Sequence, residues 1–323
     1  MFGLTFLTAT SKTTTHRVVP FSVKRTLEGV AGYVAGGLDS ARISAIDKIA
    51  FPADTKTTLS ATLTSARNSL SGFANSGVAG YFAGGHTDVA PQSNIDKVSF
   101  PADTKTTLSA TLTTVLYLSA GFANSGVAGY VAGGSNAITN ISAIDKIAFP
   151  ADTKTTLSAT LTSARNSLAG LANSGVAGYF AGGYDSDYVG GIDKVSFPAD
   201  TKTTLSATLT TARHSLAGFA NSGTAGYFAG GEDSGGRTSG IDKVSFPADT
   251  KTTLSATLTS ARSSLACFAN SGVAGYAAGG DTASGKTSGI DKVSFPADTK
   301  TTLSATLTTA RKAGAGFANS GTL

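Results

Sequence analysis

Tryptophan is absent from this 323-residue chain, and cysteine and methionine occur once each. One thiol rules out an intrachain disulfide framework and any cysteine-based metal site. The three histidines, His16, His86 and His214, fall in unrelated positions and form no ligand pattern. Charged residues make up only 14% of the chain, below the usual share for a soluble domain, so Thr, Ser, Ala and Gly must supply much of the surface. No run approaches the 18 or more apolar residues that a membrane-spanning helix needs. The opening M-F-G-L-T-F-L-T-A-T lacks a basic stretch before its short apolar run and shows no clear cleavage site.

What fills the chain instead is repetition. Paired glycines recur at Gly36/Gly37, Gly84/Gly85, Gly133/Gly134, Gly182/Gly183, Gly230/Gly231 and Gly279/Gly280, at steps of 48, 49, 49, 48 and 49 residues. Each pair sits in G-Y-[FVA]-A-G-G. A variable stretch follows, then I-D-K-[VI]-[SA]-F-P-A-D-T-K-T-T-L-S-A-T-L-T, usually an A-R, and G-F-A-N-S-G. A period of this size marks a propeller, a solenoid or an array.

The repeat also accounts for the net charge of +5. The aspartate and lysine of I-D-K cancel, as do those of A-D-T-K. Residues outside these motifs balance too, which leaves Arg67, Arg165, Arg213, Arg262 and Arg311 as the surplus. Positive charge spread evenly over the units is not the basic stripe of a nucleic-acid binder, and no nucleic-acid partner is expected.

Within a unit, alternating and β-branched segments are bounded by Gly, Pro, Asn and Asp, the pattern of short strands. In the second unit, strands are expected at 70–74, 78–83, 95–100 and 106–113, with a tight turn at Asn75-Ser76-Gly77 and another at Pro101-Ala102-Asp103. Four antiparallel strands per unit match a propeller blade. The chain ends are complementary: the first unit lacks G-F-A-N-S-G before it, and Gly316-Phe317-Ala318-Asn319-Ser320-Gly321 closes the chain with no G-Y-F-A-G-G behind it. The expected fold is therefore all-β, a six-bladed propeller over residues 29–323 closed by the C-terminal strand, which would hide otherwise exposed sheet edges. Residues 1–28 are expected to form an attachment arm.

The Y-x-x-G-G, the V-x-F strand, the T-x-x-L that follows it and the L-T-x-A-R tail together resemble the kelch repeat. The resemblance implies a kelch-like β-propeller. Two departures stand out: Leu59, Leu108, Leu157, Leu205, Leu254 and Leu303 lie near a position that is often aromatic in kelch units, and Phe-Pro replaces the Tyr-Asp of the third strand.

Two repeated aspartates need partners. By the strand period of two, Asp47, Asp96, Asp145, Asp193, Asp242 and Asp291 share a face with apolar neighbours, and the repeat arginine is the expected counter-ion. Asp54, Asp103, Asp152, Asp200, Asp249 and Asp298 stand in turns, where a short carboxylate accepts backbone N–H bonds. Six copies of each argue for scaffold. The stretch Gly280-Asp281-Thr282-Ala283-Ser284-Gly285-Lys286-Thr287 satisfies G-x-x-x-x-G-K-[ST], but a phosphate cradle needs a helix to begin at the lysine. Ile290-Asp291-Lys292 reads as strand, so a hairpin is expected there, with no nucleotide. Cys267 occupies a position that is glycine in five other places and reads as drift at a small-residue site. No Asp-box, paired-carboxylate site, triad or metal cluster emerges, so neither an enzyme nor a cofactor is expected.

The loops after each Gly-Gly, at 38–44, 86–94, 135–143, 184–191, 232–240 and 281–289, differ at almost every residue. A rigid scaffold with divergent loops is a common way to build a binding surface. Candidate binding residues are Asp39, Arg42, His86, Asp88, Tyr184, Asp185, Asp187, Tyr188, Glu232, Asp233, Arg237, Asp281 and Lys286. In the third unit an apolar Thr114-Val115-Leu116-Tyr117-Leu118-Ser119 replaces the polar Ser65-Ala66-Arg67-Asn68-Ser69-Leu70 of the second, which makes Leu116, Tyr117 and Leu118 apolar contact candidates. The expectation is a non-catalytic binding propeller. Its uniform repeats and Thr/Ser/Gly-rich surface resemble a phage virion component of a tail, fibre or baseplate, on a virion or extracellular. The partners would be other virion proteins or a cell-surface glycan or receptor, and the alternatives are a secreted lectin-like adhesin or a carbohydrate-active propeller enzyme.

Overall fold

The computed structural model describes residues 30–319, and every regular element among them is a β-strand. Six four-stranded antiparallel sheets carry the repeat. Sheet one joins Ala31–Ala35, Ala45–Ala50 and Thr55–Thr62 to the last strand, Ala315–Asn319. Sheet two is Ser71–Asn75, Ala79–Ala83, Ile95–Ser99 and Thr104–Thr107, and sheet three is Ala120–Asn124, Ala128–Ala132, Ala143–Ala148 and Thr153–Thr160. Sheet four is Ala169–Asn173, Ala177–Ala181, Ile192–Ser196 and Thr201–Thr204, and sheet five is Ala217–Asn221, Ala225–Ala229, Ile241–Ser245 and Thr250–Thr253. Sheet six is Ala266–Asn270, Ala274–Ala278, Ile290–Ser294 and Thr299–Thr302. This is a propeller-like, all-β architecture. The expected arm at 1–28 lies outside the described residues.

The complementary ends meet as anticipated. Ala31 pairs with Asn319, Tyr33 with Phe317 and Ala35 with Ala315, so the C-terminal strand supplies the first strand of sheet one. The first strands pack side by side, each against the next, and Ala315–Asn319 lies against both Ala266–Asn270 and Ser71–Asn75. Their approach is so close that a Cβ on Gly72 would sit 2.6 Å from the Gly316 carbonyl oxygen, and one on Gly218 2.6 Å from that of Gly170. A side chain at that distance fits only if the facing backbone shifts. Cys267 takes the same place in sheet six, where burial pushes its thiol up to about 12 against the opposing charge of Arg262, so it is no nucleophile at neutral pH.

The apolar core lies between adjacent sheets. A large apolar side chain from each first strand covers a glycine in the neighbouring sheet: Phe317 over Gly80, Phe73 over Gly129, Phe122 over Gly178, Leu171 over Gly226, Phe219 over Gly275 and Phe268 over Gly32. The tyrosine of the G-Y pair stacks between the first-strand ring and the Phe-Pro phenylalanine, as Tyr33 does with Phe317 and Phe100, each at 5.2 Å, except that Tyr179 has Leu171 in place of the first ring and stacks on Phe246.

The fourth strand differs from its expected bounds. In sheet two it runs Thr104–Thr107 rather than over 106–113, because Asp103 adopts φ 54° and returns the chain at once, so that Thr104 pairs with Ser99. In sheets one and three it extends to eight residues, since Ala45 and Ala143 pair with Thr62 and Thr160 across a register irregularity. Asn94, Gly191, Gly240 and Gly289 stand where these two alanines do, and their units stop after four.

Candidate binding face

Two polar clamps recur in the repeat, and both join one unit to the next. The first is built on the aspartate of I-D-K. Asp96 is fully buried and accepts from the Thr64 N–H at 2.9 Å, the Thr64 hydroxyl at 2.6 Å and the Thr107 hydroxyl at 2.7 Å, with Arg67 Nη2 3.1 Å away. Thr64 and Arg67 belong to the connection that enters sheet two, and Arg67 also donates to the Phe82 carbonyl. The expected arginine partner is thus in place, and it recurs as Arg165–Asp193, Arg213–Asp242, Arg262–Asp291 and Arg311–Asp47. Burial works to raise the carboxyls of Asp47, Asp96, Asp193 and Asp242. The threonine hydrogen bonds and the guanidinium outweigh it and hold all four below the usual carboxylate range.

These arginines are buried. The surplus charge that the sequence assigns to them is therefore not presented to solvent on guanidinium groups. The lysines of P-A-D-T-K lie outside the clamps' cores and donate to threonine hydroxyls, as Lys105 does to Thr64 at 2.7 Å.

The second clamp corrects the reading of the turn aspartates. Asp103 receives the Tyr33 hydroxyl on one oxygen at 2.7 Å and Lys48 Nζ on the other at 2.6 Å, both from the neighbouring sheet, in place of the expected backbone N–H groups. The pattern repeats with Tyr81 and Lys97 on Asp152, Tyr130 and Lys146 on Asp200, Tyr179 and Lys194 on Asp249, Tyr227 and Lys243 on Asp298, and Tyr276 and Lys292 on Asp54. The ammonium of Lys48 also lies over the Tyr33 ring, 5.6 Å from its centre. Burial, then the hydrogen bond and charge of the aspartate, push the six phenols well above their ordinary range.

The Gly-Gly loops lie at the opposite ends of the strands from these turns. Their candidate residues largely meet one another. Arg42 pairs with Asp88 and lies 3.2 Å from His86 Nδ1. Tyr188 stacks on His214 at 5.3 Å, and Tyr184 meets Tyr188 edge-on at 5.7 Å. Asp185 and Asp187 accept backbone N–H groups of their own loop, and Asp233 does the same for Gly235. Glu232 accepts from the Ser263 hydroxyl, and Arg237 reaches Asp281 at 2.8 Å. Lys286 donates to the Asp39 carbonyl at 2.8 Å from a short hairpin, Asp281–Thr282 with Gly285–Lys286, and a strand follows.

In the third unit Leu116 takes the place of the arginine and is buried, while Tyr117 and Leu118 remain half-buried. Of the three contact candidates, these two are left accessible at the surface. Asp145 consequently keeps only its threonine bonds, with Lys154 at 3.8 Å.

Three features escaped sequence reasoning. The N–H of Ser69 donates to Ala313, Leu118 to Ser69, Ser167 to Leu118, Ser215 to Ser167, Ser264 to Ser215 and Ala313 to Ser264, each within 2.7–2.8 Å. These six residues have φ of 55–58° and, with the residue after each, line an open pocket of about 100 Å³. On the turn side, Val78, Val127, Val176 and Val273 are half-exposed after four of the N-S-G turns. The repetition of N-S-G-V was the available signal. On the loop side, Val89 is 91% and Ile138 89% exposed.

Among the described residues no group of three or more His, Cys, Asp or Glu is placed to hold a metal ion, and no helix is long and apolar enough to cross a membrane. No protein-family model matches the chain, and no curated protein matches it either.

Proposed function

We propose that the six sheets are the blades of a closed, kelch-like ring and that the protein is a non-catalytic scaffold whose Gly-Gly loop face meets a partner. The ring reading is supported by the cyclic run of the clamps. Tyr276 and Lys292 of the last sheet reach Asp54 of the first, and Arg311 reaches Asp47, in the same geometry as every other junction that has these residues. The observation that carries the binding reading is the division of labour between the two faces. Both oxygens of the turn aspartates are taken up by the clamps, whereas the loop face offers side chains that differ in each unit, including the solvent-exposed Val89 and Ile138. The partner is a neighbouring subunit or a surface receptor in a virion or other extracellular assembly.

Chemical cross-linking and mass spectrometry of the protein taken from its natural assembly tests this. Protected and cross-linked positions are expected in 86–94, 135–143 and 184–191. Protection confined to the turns at 52–54 and 101–103 would overturn the choice of face.

A further inference from the structure

We infer that the variable loops act as an address code that fixes which near-identical sheet docks beside which. Every clamp described above uses the same residue types at each junction it serves. A sheet from one unit would satisfy them equally well beside several others, or beside a sheet of a second chain. Repeats with interchangeable units are prone to swapping and misassembly. Something that differs between units must therefore discriminate. The core varies at a few positions: Val34, Phe82, Val131, Phe180, Phe228 and Ala277 differ in size, Leu171 and Cys267 depart from phenylalanine and glycine elsewhere, and Ser119 and Gly314 stand where four units have leucine, but most units share most of these residues.

The loops offer a systematic difference. One position in each hairpin, matched by its bridge to the start of its own loop, is Arg42, Pro91, Asn140, Tyr188, Arg237 or Lys286. From there the side chain reads the next unit. Arg42 meets Asp88 and His86, and Asn140 Nδ2 donates to the carbonyls of Tyr184 and Asp185 at 3.2 and 3.3 Å. Tyr188 stacks on His214, Arg237 meets Asp281, and Lys286 meets the Asp39 carbonyl. Where Pro91 has no donor, His86 packs edge-on against Tyr117 of the next connection at 5.2 Å. Six junctions thus have five kinds of contact, Arg–Asp serving two of them and the Asn140 and Lys286 contacts ending on backbone carbonyls, so that adjacent junctions never use the same one. Like charges brought together, unpaired amides and displaced rings penalise wrong neighbours, which is specificity by exclusion as well as attraction.

The test is refolding of the full chain from denaturant over a range of concentrations, read by size-exclusion chromatography with light scattering. The parent is expected to return as monomer. Exchanging two addresses, Asn140→Tyr with Tyr188→Asn, keeps the composition and is expected to shift a large, concentration-dependent fraction into swapped dimers and higher species. Arg42→Glu is expected to do the same, and adding Asp88→Arg to restore the monomer. Equilibrium unfolding midpoints of folded monomers should change little, which separates addressing from plain destabilisation. The inference is overturned if the exchanged variant refolds with the parent's monomer fraction, if the parent itself gives a mixture, or, should the exchange variant not fold, if Arg42→Glu changes nothing or Asp88→Arg fails to restore it. None of these readouts involves a partner, so they stand or fall apart from the proposed binding face.

Discussion

Asp193→Ala and Asp145→Ala remove the same side chain from equivalent places, yet they are expected to differ in cost. Asp193 is buried and accepts from the Thr162 N–H at 2.9 Å, from the hydroxyls of Thr162 and Thr204, and from Arg165 at 3.1 Å. Its loss leaves the Arg165 guanidinium, 2% exposed, with the Phe180 carbonyl at 3.4 Å as its remaining hydrogen-bond partner. Stranding one member of a buried pair costs about 3–5 kcal/mol. Asp145 has no arginine to strand, because Leu116 fills that place. Its removal leaves the Thr113 N–H and two hydroxyls without their acceptor, a penalty of about 1–3 kcal/mol. Urea unfolding followed by circular dichroism measures both, provided the dependence on denaturant is unchanged between variants. Equal losses, or a larger loss for Asp145→Ala, would show that the guanidinium contributes nothing distinctive and would refute the account of the first clamp.

Two further outcomes follow from the same contacts. Deleting residues 312–323 removes the strand paired with Ala31–Ala35 and bares its backbone edge, so the truncated protein should aggregate or lose much of its thermal stability; a truncation that stays monomeric and melts with the parent would contradict the closure. Because the six clamp phenols are raised in the folded state, the unfolded chain releases their protons first. Stability is therefore full below about pH 10 and should fall as pH climbs above it, with tyrosinate absorbance appearing together with loss of the β signal; tyrosinate forming at these positions in an intact fold would argue against the clamp, and Tyr81→Phe should make the decline shallower.

How much of this was legible in the sequence depended on whether the relevant partner was itself repeated in a recognisable place. The pairing of Arg165 with Asp193 could be read because a buried carboxylate demands a cation and the unit offers one unassigned arginine. The completion of sheet one could be read because each end of the chain lacks what the other supplies. The turn aspartates misled because Asp103 sits in a turn that would by itself account for a short carboxylate; its actual donors, Tyr33 and Lys48, are 70 and 55 residues away in sequence and meet it only once two sheets are packed. The fourth strand was misplaced because T-K-T-T-L-S-A-T-L-T has even strand propensity and no internal punctuation. Its end depends on whether alanine precedes the isoleucine of I-D-K, a tertiary pairing invisible to local pattern. The loop contacts were hidden for a different reason: variation reads as freedom until the neighbouring loop is seen to vary with it.

The third unit draws these threads to one place. Its entry connection lacks the arginine that pairs with Asp47, Asp96, Asp193, Asp242 and Asp291, and the hydrophobic Leu116 occupies the buried position. The loops that flank this connection carry Val89 and Ile138, the most exposed large hydrophobics among the described residues, and His86 and Ser135 of those loops both touch Tyr117. The remaining loop tips are polar or small: Asp39 and Ser40, Ser186 and Asp187, Asp233 and Ser234, Ala283 and Ser284. Apolar side chains held in water contribute nothing to the fold and gain free energy only when something covers them. On the proposed binding face, the sector around Tyr117 is therefore where a partner gains most from contact, and it is also where the scaffold's first clamp is weakest.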